Sequence, residues 1–164
     1  MAKNKKGSIE DLIYILVVLT AGAIIILVGG KFVNMFNTQV QGMDVVPDDA
    51  KTSVNTVNDM YAGTIDTSFM LLTIGLCIAA LILAMLVVVH PIFFVFYFII
   101  LPIIIYVGGI CSNIYQTAAE TTPLSDIASN LIFLSAVCQY LPYIISVLGL
   151  LLAIIMYKTW QNRT

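Results

Sequence analysis

Three long stretches of this chain carry no ionised side chain, and they decide what it can fold into. Nothing charged at pH 7 lies between Asp11 and Lys31, between Asp66 and Glu120, or between Asp126 and Lys158. Soluble domains are about 45–50% apolar and about 25% charged. Here 60% of 164 residues are hydrophobic and 10% are charged. A soluble fold would leave greasy surface bare, and a disordered chain needs far more charge. The sequence reads as an all-α integral membrane protein.

A hydrocarbon core about 30 Å thick takes roughly 20 apolar residues of helix at about 1.5 Å each. Residues 12–33 supply one span. Residues 67–112 would reach about 69 Å as a single helix, too long for one crossing. They divide at His90-Pro91, because Pro91 has no amide hydrogen and disfavours helical geometry in the residue before it. The expected spans are therefore 12–33, 68–89, 92–112 and 130–157, arranged as two hairpins in a single domain covering residues 1–164. A re-entrant pair of helices at 90–91 is the rival to a true hairpin there.

Basic residues set the orientation. Lys3, Lys5 and Lys6 precede the first span, and Lys158 and Arg163 follow the last. The loops 34–66 and 113–129 hold Asp44, Asp48, Asp49, Asp59, Asp66, Glu120 and Asp126 against Lys51 alone. Both termini are expected on the cytoplasmic or equivalent side and both acidic loops outside. Lys3, Lys5, Lys6, Lys158 and Trp160 then serve as interface anchors, and Lys31 snorkels at the outer end of the first span. The localisation that follows is a multi-pass protein of a cell membrane or a virion internal membrane.

The segment KKGSIEDLI resembles in part a type IV prepilin leader, with Gly7 and Glu10 at the matching positions. It departs in the Gly-to-Glu spacing, three residues instead of five, and three further spans follow, which pilins lack. The first span is read as retained.

Within the first outer loop, Pro47 followed by Asp48 and Asp49 marks a helix start. Ala50, Val54, Val57 and Tyr61 then recur at helical spacing, opposite Lys51, Ser53, Asn55 and Asp59. An amphipathic helix over 47–62, ending near Gly63, is expected. Its apolar stripe rests on lipid, on the tops of the spans or on a partner protein.

Inside the spans, Gly75 and Ala79 (with Ala80 and Ala84) place small residues four apart and permit close helix approach. Gln139 and Tyr140, beside Pro142 and Tyr143, form the most polar patch of the last span. These four, Gly75, Ala79, Gln139 and Tyr140, are the candidate helix–helix contacts, within the chain or with a second copy. His90 and Pro91 are the expected turn. Pro102 and Pro142 are the expected kinks, and Pro142 frees a carbonyl near Cys138 that a neighbouring hydroxyl can satisfy.

Transporters keep Asp, Glu, Lys or Arg within their spans, and the membrane interiors of the expected spans hold none, Lys31 standing at the outer end of the first. His90 is the only histidine, with no second donor at its depth. Cys77, Cys111 and Cys138 lie in three different spans without metal spacing, and read as small buried hydrophobes not paired in a disulfide. No phosphate-binding loop, nucleophile elbow, HExxH or paired-acid arrangement occurs. No catalytic, cofactor-binding or metal-ligating residue is expected, and no small-molecule substrate.

In size, span density and charge layout along its whole length, the chain is similar to the small multi-span proteins in the internal membranes of icosahedral membrane-containing viruses. That resemblance rests on architecture and on no specific motif. It implies a non-enzymatic structural or scaffold protein linking a bilayer to a neighbouring protein layer. Its expected partners are the lipid bilayer, other membrane or capsid-type proteins, and copies of itself. Three N-terminal lysines are few for nucleic acid, which is not expected. A small oligomeric pore or holin-like protein, and an accessory subunit of a larger membrane complex, are the alternative readings.

Overall fold

The computed structural model describes residues 9–86 and 91–161, and every regular element among them is helical. In chain order these are α1 (Ile9–Gln41), α2 (Asp48–Leu86), α3 (Pro91–Ala119), α4 (Ser125–Asn130), α5 (Ile132–Gln139) and α6 (Leu141–Gln161). Four helical segments are long and apolar enough to cross a bilayer: Ile13–Gln41, Asp48–Ile82, Phe94–Ala119 and Leu141–Lys158. The chain is a multi-pass membrane protein by this criterion. Lys3, Lys5, Lys6 and His90 lie outside the described residues.

The helices run past the limits expected from hydropathy. α1 continues beyond residue 33 to Gln41, because its polar last turns have a partner to lie against. Asn37 Nδ2 donates to Asn55 Oδ1 at 3.1 Å, and Gln41 Nε2 donates to the Lys51 carbonyl at 2.9 Å. Asn55 in turn donates to Asp59 Oδ2 at 3.0 Å. This amide ladder ties the end of α1 to the first turns of α2, with residues 42–47 between them. α2 opens with Asp48 and Asp49 in its first turn, and the Pro47 carbonyl accepts from Ala50 and Lys51. The segment 47–62 is thus not a separate helix. It is the first part of one 39-residue helix, about 58 Å long, that passes Gly63 without a break. A helical glycine costs about 1 kcal/mol, and Tyr61, Ala62, Ile65 and Phe69 on either side pack on the bundle and outweigh it.

The core sits at the end of the bundle where α4 and α5 tuck in. Ala23 and Leu27 of α1 meet Tyr115 of α3, Ile127 of α4, Leu131, and Leu134 and Cys138 of α5. α4 approaches α1 closely at Gly30, where an added Cβ would stand 2.7 Å from Ile127 Cγ2 and 3.0 Å from Tyr61 Cε1. α3 packs chiefly on α6 and on α1. Leu101 of α3, buried, lies against Gly149 so closely that a side chain there would collide with it.

The last expected span, 130–157, is not one helix: it takes in the last residue of α4, all of α5 and most of α6. It breaks at Leu131 and again at Tyr140, whose backbone angles leave the helical range. Pro142 supplies no N–H, which accounts for the second break. Leu131 is fully buried, and seating its side chain in the core holds the first. Pro102, by contrast, lies within α3, which continues through it. Around this core the surface is apolar: Tyr14, Ile25, Leu71, Val95, Tyr106 and Ile154 are each more than 60% exposed. Such a belt suits lipid and not water.

Candidate functional site

Breaking a helix frees backbone groups, and in a lipid-facing bundle each must find a partner inside the protein. The breaks at Leu131 and Tyr140 therefore dictate where polar side chains gather. Leu131, the residue capping α5, offers no side-chain hydrogen bond to the helix. Asp66 of α2 does so from across the bundle. Its Oδ2 accepts the Phe133 N–H at 2.9 Å and its Oδ1 accepts the Leu134 N–H at 2.8 Å. Both carboxylate oxygens meet the positive end of the α5 dipole, the arrangement most favourable to an anion at a helix terminus. Discontinuous membrane helices often present such an end to a bound anion; here the chain's own carboxylate occupies it.

Two further bridges complete a polar seam. Ser135 Oγ donates to the Ala128 carbonyl at 2.9 Å. A serine hydroxyl has one proton to give, so Tyr115 must be the donor in its 2.8 Å bond to Ser135. At the lower break, Ser112 Oγ donates to the Gln139 carbonyl at 2.6 Å, and Gln116 Nε2 donates to Ser112 Oγ at 3.4 Å. Tyr61 and Tyr97 act alike elsewhere, donating to the Ile26 carbonyl at 2.9 Å and the Gly149 carbonyl at 2.7 Å. Among the described residues, every fully buried side-chain nitrogen or oxygen has a hydrogen-bond partner.

Beside the seam, the end of α3, α4 and α5 border an open hollow of about 210 Å³ lined by Tyr115, Gln116, Ala119, Glu120, Ala128, Ser135 and Gln139, with Glu120 and Gln139 exposed. At the other extreme, the α1–α2 pair carries an apolar groove of about 290 Å³ between Phe32, Val33, Phe36, Val54 and Val57. Asp44, Asp48 and Asp49 are exposed near its tip.

The residues singled out from sequence disperse. Gly75 and Ala79 are exposed, with nothing within 4 Å of a Cβ built at Gly75, so they contribute no close helix approach within the chain. That approach occurs at Gly30, Gly108 and Gly149. The Gln139 side chain is exposed at the hollow while its carbonyl joins the seam. Tyr140 is half exposed, its ring centroid 6.3 Å from that of Tyr143. Lys158 is exposed in the last turn of α6. Pro91 opens α3, and Trp160 falls in α6 with its side chain outside the described residues. Cys111 and Cys138 are buried, Cys77 is half-buried, and all three are free thiols.

The sequence alone does not single out Asp66, Ser112, Tyr115 or Ser135. Asp66 reads there as the last residue of an outer loop. The available signal was its position, one acid directly ahead of an unbroken apolar run. No protein family, curated protein or solved structure matches this chain.

Proposed function

We propose that the chain is a non-enzymatic structural protein of a membrane, four spans arranged as two hairpins, that holds a neighbouring protein layer to the bilayer. The observation that carries this reading is the α1–α2 extension. Two helices leave the apolar body together, braced by the Asn37–Asn55–Asp59 ladder, and expose an apolar groove between Phe32, Phe36 and Val57. Its tip is acidic, with Asp44, Asp48 and Asp49 near Lys51 as the one local cation among residues 42–60. A protein segment with apolar anchors flanked by Lys or Arg is the partner this surface fits. Both termini lie on the opposite, cytoplasmic-type side, and Lys158 anchors that interface. The internal membrane of an icosahedral virus particle is one setting that pairs such a body with an adjoining protein shell.

A photo-crosslinking residue at Phe36 or Val57 in the native membrane tests the reading. A discrete adduct with one other protein is expected, and adducts with lipid alone would refute it. One observation favours a small oligomeric pore as the second reading. The exposed face of α2 carries Gly63, Thr64, Thr67, Ser68, Gly75 and Ala79, small and hydroxyl residues suited to helix association. Vesicles loaded with dye distinguish the two: the structural reading expects retention of the dye, the pore its leakage.

A further inference from the structure

The hollow beside the seam has an electrostatic imbalance that no basic residue among the described ones corrects. The end of α5 at Gln139 lines this small volume, with α6 starting after one intervening residue and offsetting its dipole. α3 ends beside it at Ala119, so the negative end of the α3 dipole borders it. Neither helix has a basic residue in its last turn. Glu120 follows α3 directly and lines the hollow, adding a full negative charge where the dipole favours a positive one. No ion pair to Glu120 occurs among the described residues. The other polar lining groups also offer acceptors. Gln116 gives its amide N–H to Ser112, which leaves its carbonyl oxygen unused, and Gln139 is committed only through its backbone.

We propose that this hollow binds a primary ammonium group. Such a cation has three N–H donors, and the carboxylate of Glu120 with the amide oxygens of Gln116 and Gln139 supplies acceptors to match. A hard divalent cation would need six or more oxygens at short range, more than this lining offers. The volume, about 210 Å³, is below the roughly 300–1,000 Å³ of sites for drug-sized ligands. It therefore suits a head group and not a large molecule. An ethanolamine lipid head group and a free alkyl amine present the same chemistry. The site is independent of whether the α1–α2 groove holds a protein.

Native mass spectrometry of the full chain, released from nanodiscs of equal phosphatidylethanolamine and phosphatidylcholine, tests the assignment. Phosphatidylcholine has the same phosphate but no N–H, so it serves as the control. The site predicts at least several-fold preferential retention of phosphatidylethanolamine, lost in Glu120→Gln and reduced in Gln116→Leu. Asp126→Asn, an acid outside the hollow, leaves the preference intact. Ethanolamine added to nanodiscs of phosphatidylcholine alone separates the sources. If it binds wild type but not Glu120→Gln, the ammonium is held without a lipid tail. If it does not, while the lipid preference stands, the lipid is the ligand. Equal retention of both lipids with no ethanolamine binding overturns the proposal, as does a preference that survives Glu120→Gln. Unchanged helical circular dichroism in each variant confirms that folding is preserved.

Discussion

Replacing Asp66 removes the side-chain acceptors that the described residues offer at the start of α5, and the consequence can be worked from the two bonds it makes. The carboxylate receives the N–H groups of Phe133 and Leu134 at 2.9 and 2.8 Å. Hydrogen bonds to charged groups contribute roughly 1.5–3 kcal/mol each, and loss of a helix cap about 0.5–2 kcal/mol. The two bonds share one carboxylate that is half-buried, so their sum is an upper bound. Asp66→Ala should weaken the α5 terminus by about 2–4 kcal/mol, a roughly 30- to 700-fold rise in local opening. Asp66→Asn keeps one acceptor oxygen without the charge and should lose about half of that. Amide hydrogen exchange in detergent or nanodiscs reads this directly at Phe133 and Leu134. The α1–α2 ladder near Asn37 serves as the internal reference, because it does not touch α5. Protection at Phe133 and Leu134 that changes by less than about threefold in Asp66→Ala would refute the reasoning.

Other substitutions probe the packing around the seam. Gly30→Val drives a side chain into Ile127 and Tyr61 and should destabilise the fold by about 1–3 kcal/mol, whereas Gly75→Val, facing open space, should change it little; unfolding in graded SDS compares the two. Tyr115→Phe removes the proton given to Ser135 and should cost about 0.5–1.5 kcal/mol in the same assay. Leu131→Ala empties a fully buried position at the α4–α5 break and should cost about 2–5 kcal/mol, with faster exchange at the start of α5.

The greasy runs were legible because hydropathy over twenty residues is a strong signal, and each of the four expected spans overlaps a membrane-length helix. Their ends were not legible. Hydropathy stops at Val33, yet α1 continues to Gln41 because Asn37 and Gln41 have polar partners at Asn55 and Lys51 on the next helix, which hydropathy does not register. Gly63 looked like a terminus, since a glycine weakens an isolated helix, but the tertiary contacts of Tyr61 and Ile65 override that local preference. Pro102 and Pro142 look alike in sequence and behave differently: one sits within a continuous helix, the other follows a break closed by Ser112. The seam was hidden for a simpler reason. Asp66 and Phe133 lie 67 residues apart, and no periodicity links an acid on one helix to the amides of another. Gly75 and Ala79 had the right spacing for helix contact, but spacing does not say which face meets the bundle.

The account depends most on an apolar helical body, with Asp66 bonded internally to α5, and on the polar segment between α1 and α2 lying on one face of a bilayer. Impermeant thiol labelling of sealed vesicles tests this, with single cysteines introduced as Asn55→Cys, Glu120→Cys, Asn4→Cys and Asn162→Cys in a background lacking the native three. The account predicts that positions 55 and 120 react from one side only and positions 4 and 162 from the other only. Reaction of position 55 from the same side as position 4, or its protection from both, would contradict it.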